Sequence, residues 1–216
     1  MAKLIVDIVS DTVCPWCFIG KRRLEKAVSS LPGGISAEVR WRPFFLDSSL
    51  PAVGKNKLEH YSAKFGAPRV AQMLPMMQKV GSGEGITFDY GGLIANTEAS
   101  HALIAAAAAH GGAALQDRVV EALFRFYFEG RGNLGDVAAI TALAAAAGLP
   151  APAAEAALAP AARAAVRAEE REWRASHGVT GVPYFVISRE DGKGAPIEIS
   201  GASEPPALAK AMASLM

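Results

Sequence analysis

Two cysteines, Cys14 and Cys17, are the residues whose type and spacing most directly suggest chemistry in this sequence. They are the only cysteines among 216 residues, and Pro15 and Trp16 separate them. A disulfide between them would close a very small loop and add little stability through chain entropy, so a purely structural role explains them poorly. In a reducing compartment, a pair at this spacing is typical of thiol redox catalysis or of metal binding.

The other candidate metal ligands do not follow the spacing of a zinc site. A structural zinc ion takes four Cys or His ligands, usually as two closely spaced pairs. The chain has no second Cys-x-x-Cys pair, and its histidines are scattered along the sequence at His60, His101, His110 and His177. The sequence therefore predicts a redox dithiol and no metal site.

The start of a helix is predicted directly after Cys14. Proline is favoured at the first helical position because its missing N–H would be unpaired there, so Pro15 makes Cys14 the predicted N-cap. An N-cap side chain accepts hydrogen bonds from the N–H groups of the next turn, here those of Trp16 and Cys17, and the helix dipole favours negative charge at this position. Both effects stabilise a thiolate. Cys14 is therefore predicted to be an exposed nucleophile and Cys17 the shielded resolving thiol.

The elements around the dithiol form a predicted βαβ unit. Residues 3–9 are apolar and mostly β-branched, which indicates a strand buried on both faces. Residues 15–31 have helical periodicity, residues 32–34 end the helix, and residues 35–41 alternate as a half-buried strand does. A right-handed crossover makes the strands parallel and places Cys14 at the carboxyl edge of the sheet, where open α/β sheets bind ligands.

The rest of the chain is predicted to be helical first and then to return to strands. Residues 55–177 contain no convincing strand, and glycine and proline divide them into six or seven helical pieces. Residues 184–187 and 196–200 form a predicted hairpin through the turn at 192–194, and residues 205–215 a closing helix. The predicted fold is α/β, in the order βαβ, helical insertion, ββα.

Composition argues against several classes of partner. Lys and Arg total 22 against 21 for Asp and Glu, so the net charge of +1 provides no basic field for nucleic acid or anionic lipid. The longest apolar stretch, residues 103–109, is far shorter than a bilayer span of about 20 residues. Met1 and the next two residues lead straight into the first strand without a signal cleavage site, so we expect a cytoplasmic protein that binds neither membranes nor nucleic acids.

Motifs along nearly the whole chain resemble one known family. The segments are Asp11 to Arg22, containing Cys-Pro-Trp-Cys; Trp41-Arg42-Pro43-Phe44; Asn96-Thr97 with His101; and Gly181-Val182-Pro183. Together they resemble DsbA-like proteins of the thioredoxin fold, and most closely the cytoplasmic FrnE-like branch. The resemblance implies a thioredoxin-like domain of residues 1–54 and 179–216, with a helical domain inserted at 55–178. Some members carry a second cysteine pair, which this chain lacks.

The resemblance also assigns a role to Val182 and Pro183. In thioredoxin-like proteins the matching proline is cis and faces the dithiol. Cis peptide bonds are nearly confined to X-Pro, although an ordinary trans proline opening an edge strand is the alternative. The backbone of Val182 would then pair with an extended peptide or with glutathione.

Six further residues are candidate substrate contacts, and four of them have a structural alternative. In the family, the segment containing Asn96, Thr97 and His101 lines the groove beside the dithiol, but Asn96 and Thr97 are also suited to capping a helix that begins near residue 98. Trp16 and Phe18, two large aromatic residues at a helix start, would form an exposed apolar rim around Cys14 or pack against the insertion. Pro15, inside the motif, is expected to contact substrate as well.

These observations predict a thiol-disulfide oxidoreductase that acts on protein disulfides or on low-molecular-weight disulfides. No tightly bound cofactor is expected, and glutathione is a candidate co-substrate. The resemblance extends to glutathione-dependent hydroxychromene carboxylate isomerases and kappa-class glutathione transferases, which typically carry serine where Cys14 stands. A peptide-binding chaperone without turnover is a third possibility, and it would not require Cys14. The sequence makes no prediction of oligomeric state.

Overall fold

The main sheet has four strands, formed by residues 2–10, 35–43, 184–189 and 197–200. The computed structural model describes residues 2–33 and 35–216. Its strands are β1 (Ala2–Ser10), β2 (Ile35–Pro43), β5 (Tyr184–Arg189) and β6 (Ile197–Ser200). β1 pairs in parallel with β2 and antiparallel with β5, and β5 and β6 form an antiparallel hairpin. The predicted βαβ unit and C-terminal hairpin are confirmed.

The central position of β1 explains its apolar sequence. Leu4, Val6 and Val9 are fully buried, as expected for a strand that has neighbours on both sides and helices over its faces. The helices are α1 (Pro15–Ser29), α2 (Lys57–Phe65), α3 (Ala67–Gly83), α4 (Glu98–Phe128), α5 (Val137–Ala146), α6 (Ala151–Ala157), α7 (Pro160–His177) and α8 (Pro205–Ser214). α1 ends at Ser29, two residues before Leu31, the predicted end of this helix. Gly34, part of the predicted helix stop, lies outside the described residues.

The predicted helical insertion contains six helices in the described part of the chain, together with one feature that the sequence did not reveal. β3 (Lys55–Asn56) and β4 (Leu93–Ile94) form a short antiparallel pair. Strands of two residues are too short to show alternation, so no periodicity could predict them. α4 is bent at Gly111 and Gly112, whose backbone angles are not helical.

Helices of the insertion share a core with the sheet. α4 and α7 pack against β2, and one continuous apolar cluster contains residues from β1, α1 and α4. Lys21 of α1 is buried and forms an ion pair with Asp117 of α4, with 3.0 Å between Nζ and Oδ2. The insertion thus forms part of the surroundings of the dithiol helix.

Candidate active site

The turn between β1 and α1 places both cysteines at the start of α1. Cys14 is the N-cap and Pro15 the first helical residue, as predicted. The Cys14 N–H donates to the Asp11 carbonyl and the Cys17 N–H to the Cys14 carbonyl, each at 3.0 Å. Both thiols are free in the structure and lie one helical turn apart.

The environment of Cys14 differs from the prediction in two respects. Its side chain makes no capping hydrogen bond, and the Cys17 N–H pairs with the Cys14 carbonyl. The Cys14 thiol instead donates to the Val182 carbonyl oxygen at 3.5 Å. Cys14 is also buried, with 4% of its surface exposed, so the prediction of an exposed nucleophile is wrong. The side chain is reached through a pocket.

Cys17 lies deeper than Cys14. It has no exposed surface, and burial raises the pKa of its thiol well above the usual range, an effect that the neighbouring Cys14 reinforces. The Ser10 hydroxyl and the Asp11 backbone act in the opposite direction but do not outweigh burial. Cys17 is therefore the shielded thiol of the pair, as predicted.

The segment before β5 faces the dithiol. The Val182–Pro183 peptide bond is cis, and the Pro183 carbonyl accepts from the Gly201 N–H at 2.8 Å. α1 approaches this segment at Gly20, where a Cβ atom would lie 3.0 Å from the Pro183 Cγ. The segment therefore lies close against α1 and presents the Val182 carbonyl to Cys14.

A pocket of about 330 Å³ opens beside Cys14. One wall comes from the dithiol turn and the Gly181–Val182 segment, and the rest comes from the insertion and from the loop at residues 46–50. The insertion contributes mostly apolar or aromatic side chains, namely Tyr61, Phe65, Met73, Met77, Tyr90 and Ile94. The ionisable side chains that line the pocket are those of Asp47, His60 and Lys64, besides Cys14 and the two tyrosines. Burial lowers the pKa of His60.

No group of three or more His, Cys, Asp or Glu side chains in the described part of the chain could hold a metal ion. Among the same residues, no helix is long and apolar enough to cross a membrane.

The profile of the DSBA-like thioredoxin domain matches residues 5–213 of the chain. The chain belongs to this family. One similar solved structure is that of a "probable DsbA oxidoreductase" from Streptomyces coelicolor, whose sequence is 30% identical. The two structures superpose with a TM-score of 0.85, and the match covers 98% of this chain and 89% of the other. No curated protein sequence matches the chain.

Two more distant structures share the DsbA-like fold. The cytosolic disulfide reductase DsbM from Pseudomonas aeruginosa is 19% identical with a TM-score of 0.66, covering 97% of both chains. A 2-hydroxychromene-2-carboxylate isomerase is also 19% identical, with a TM-score of 0.63, covering 98% of this chain and 95% of its own. At this identity both comparisons show the fold alone.

The two aromatic residues predicted to form an apolar rim occupy different environments. Trp16 is 37% exposed and lines the pocket beside Cys14, together with Pro15. Phe18 has no exposed surface and stacks on Phe124 of α4 with ring centroids 5.0 Å apart. Its assignment to the substrate rim is therefore wrong, because α1 turns that side chain into the core.

Asn96 and Thr97 directly precede α4 and are not among the residues that line the Cys14 pocket. The Asn96 Oδ1 accepts from the Glu98 N–H at 2.9 Å, and its amide donates to the Ser48 carbonyl at 3.3 Å. Thr97 is the N-cap by position, but its side chain makes no capping bond. Of the two alternatives, helix capping and substrate contact, Asn96 therefore has the capping role. Thr97 is buried next to it in sequence.

His101 is also absent from the lining of the Cys14 pocket. It lines a separate pocket of about 370 Å³ formed with β2 and α4. The ring is buried, lies edge-on to Phe45 at 5.4 Å, and places Nε2 3.4 Å from the Asp11 Oδ1. Its position connects it to the dithiol turn through Asp11.

Sequence reasoning missed Asp11 and the insertion side of the pocket. The Asp11 carboxylate is buried and accepts from the Leu46 N–H at 2.8 Å, which ties the pocket-lining segment at Leu46 to the dithiol turn. A charged residue between an apolar strand and the cysteine motif was an available signal. Tyr61 and Tyr90 gave no such signal, because aromatic residues in a helical segment are typical of a core.

Proposed function

We propose that this DsbA-like chain is a thiol-disulfide oxidoreductase in which Cys14 is the nucleophile and Cys17 the resolving thiol. The observation that supports this best is the difference between two thiols one helical turn apart. Cys14 lines a pocket and its thiol donates to the Val182 carbonyl, whereas Cys17 has no exposed surface and does not line the pocket. A pocket-facing first thiol and an enclosed second thiol match the order of two successive exchange steps.

The proposed reaction has two steps. In the first, the Cys14 thiolate attacks one sulfur of a substrate disulfide, forming a mixed disulfide as the second substrate sulfur leaves with the bonding electron pair as a thiolate. In the second, Cys17 loses its proton and attacks the Cys14 sulfur. The bound substrate half leaves as a thiolate, so the substrate is reduced by two electrons and the dithiol is oxidised to a disulfide. The reverse sequence oxidises a dithiol.

Extended polypeptides are the proposed main substrates, with glutathione as the small-thiol alternative. The backbone at Val182 lies beside Cys14, where an extended chain could add as a strand does. The exposed face of Trp16 and the apolar pocket wall favour a polypeptide side chain. DsbM has also been solved with GSH, which supports glutathione as a co-substrate here. We propose no tightly bound cofactor and, in agreement with the cytosolic DsbM, a cytoplasmic setting.

Turnover of disulfides by three purified forms of the protein tests this function. We expect the wild type to reduce insulin or hydroxyethyl disulfide in the presence of a thiol reductant. Cys14→Ser should abolish this activity, and Cys17→Ala should stop it after the first step. Wild-type turnover that persists in Cys14→Ser would contradict the assignment.

A glutathione-dependent isomerase is the second candidate, because a 2-hydroxychromene-2-carboxylate isomerase shares the fold. Isomerisation on bound glutathione does not require Cys17. Glutathione-dependent isomerisation that survives Cys17→Ala, with no disulfide turnover in the wild type, would favour this candidate. Peptide binding that survives Cys14→Ser without any turnover would favour a chaperone.

A further inference from the structure

The hydroxyl of Tyr90 is a polar group that the steps above do not use. Tyr90 lines the Cys14 pocket and is 6% exposed, and its hydroxyl is buried with no hydrogen-bond partner among the described residues. Leaving a buried hydroxyl unpaired costs about 1–3 kcal/mol. Because Tyr90 lines the pocket, an acceptor atom of a ligand that enters the pocket can supply the missing partner.

Packing fixes the Tyr90 ring against other aromatic residues. Its centroid lies 5.9 Å from that of Phe88 and 6.2 Å from that of Tyr61. Burial raises the pKa of the Tyr90 phenol, and the charges of Tyr61 and Cys14 raise it further. The hydroxyl therefore stays protonated at neutral pH, and Tyr90 lines the same pocket as Cys14.

Cys14 itself is not the hydrogen-bond partner of this phenol. The Cys14 thiol pairs with the Val182 carbonyl, and no bond joins it to the Tyr90 hydroxyl. During exchange, a second sulfur must approach Cys14 roughly in line with the bond that breaks, and that sulfur acquires negative charge as it leaves. In the pocket, this developing thiolate is a charged acceptor within a mostly apolar lining.

We propose that Tyr90 is a catalytic residue whose hydroxyl donates a hydrogen bond to the sulfur that leaves when Cys14 attacks a substrate disulfide. This inference rests on the proposed function. The phenol stabilises the leaving thiolate without giving up its proton, which then comes from solvent. The bond changes are those of the first exchange step, with one hydrogen bond added to the leaving group. Preorganised donors aimed at developing charge are an effective form of catalysis.

The choice of disulfide probe tests this role. Hydroxyethyl disulfide releases a basic alkyl thiolate, whereas dithiobis(nitrobenzoate) releases an acidic aromatic thiolate that leaves readily without help. We expect Tyr90→Phe to lower the second-order rate constant of the reduced protein about tenfold with the first probe and less than about twofold with the second, because hydrogen bonds to charged groups are the stronger ones. Alkylation of Cys14 by iodoacetamide should be unchanged.

Tyr127→Phe provides a matched control. The Tyr127 hydroxyl is also buried, but Tyr127 does not line the Cys14 pocket. We expect wild-type rates with both probes in this variant. Equal losses in both Phe variants, a parallel loss of Cys14 alkylation in Tyr90→Phe, or unchanged rates in Tyr90→Phe would each overturn the inference. Failure of the wild type to react with either disulfide would overturn the proposed function as well.

Discussion

At the scale of single residues, Cys14 and Cys17 are distinguished by what surrounds their sulfur atoms. Cys14 faces a pocket, whereas Cys17 is enclosed by Ser10, Asp11 and Cys14 itself. The sequence predicted that Cys14 is the N-cap of α1, and the structure confirms this position. It could not predict how Cys14 is held, because that depends on Val182, which is 168 residues away in sequence.

In the reduced native protein we therefore expect Cys14 to be alkylated much faster than Cys17. Burial raises the pKa of the Cys17 thiol, so little thiolate is present at neutral pH, and reagent access is blocked. The ratio of rates should exceed about tenfold, the factor that one pKa unit gives. Timed iodoacetamide labelling followed by peptide mass spectrometry measures it, and denatured protein serves as the control. Equal native rates would contradict the account.

Phe18 and Trp16 provide a second comparison at this scale. Phe18→Ala should lower the free energy of unfolding by about 3–5 kcal/mol, because the ring is fully buried between α1 and α4. Trp16→Ala should cost less than about 1 kcal/mol, since much of its surface is exposed. It should instead raise the KM for polypeptide disulfides several-fold. Urea denaturation and insulin reduction measure the two effects, and the reverse pattern would mean that Phe18 is the substrate contact.

At the scale of elements, the strands and helices with clear periodicity were predictable. β1, α1, β2 and the β5–β6 hairpin each have an apolar pattern typical of the element that they form. β3 and β4 were not predicted because a two-residue strand has no pattern. The bend in α4 depends on Gly111 and Gly112, where the sequence shows two glycines but not the direction that the helix takes after them.

The contact between α1 and the segment before β5 gives a prediction for Gly20→Ala. The added methyl carbon would lie 3.0 Å from the Pro183 Cγ and 3.3 Å from the Phe185 Cζ, so the Val182–Pro183 segment must shift. We expect a folded protein destabilised by about 1–3 kcal/mol whose disulfide exchange is several-fold slower. Gly83→Ala is the control, because its added carbon would contact no atom beyond the neighbouring residues of its own helix. A wild-type exchange rate in Gly20→Ala would show that this contact does not position the site.

At the scale of the whole molecule, the inserted segment supplies both core and pocket. The boundaries predicted at 55–178 divide the chain into two domains by sequence. Phe124 and Phe128 of the inserted segment nevertheless pack on Phe18 of α1, so the two parts share a core. The insertion side of the pocket was not predictable from sequence. Residues from α2, α3 and the loop before β4 come together only in the folded chain. The sequence around each of them is typical of an ordinary core segment.

The buried Lys57 of the insertion predicts a pH dependence of stability. Its amine donates to the Tyr127 carbonyl at 3.3 Å and lies 3.9 Å from the centroid of the Tyr127 ring. Burial lowers the pKa of Lys57 from 10.5 to about 8, although Asp89 opposes this shift. The unfolded chain therefore holds more protons than the native state between these two values, and the contribution of Lys57 to stability becomes more favourable as pH rises through them.

Comparison with Lys57→Met isolates this effect from other titrating groups. Between pH 7 and pH 10, the difference in unfolding free energy between wild type and variant should move in favour of the wild type by about 2–3 kcal/mol. Urea denaturation at several pH values measures that difference. A difference independent of pH would show that the amine titrates normally in the native state.

The central claim, that Cys14 attacks a disulfide and Cys17 resolves the product, is tested most directly by time-resolved intact mass spectrometry of reduced Cys17→Ala mixed with a disulfide. We predict one adduct, located on Cys14, that persists in this variant and is removed by dithiothreitol, whereas the wild type passes through it rapidly to an internal disulfide. The same variant in cell lysate should collect polypeptide adducts if proteins are the substrates, and a glutathione-sized adduct if they are not. An adduct absent from Cys14, or one equally long-lived in the wild type, would contradict the account.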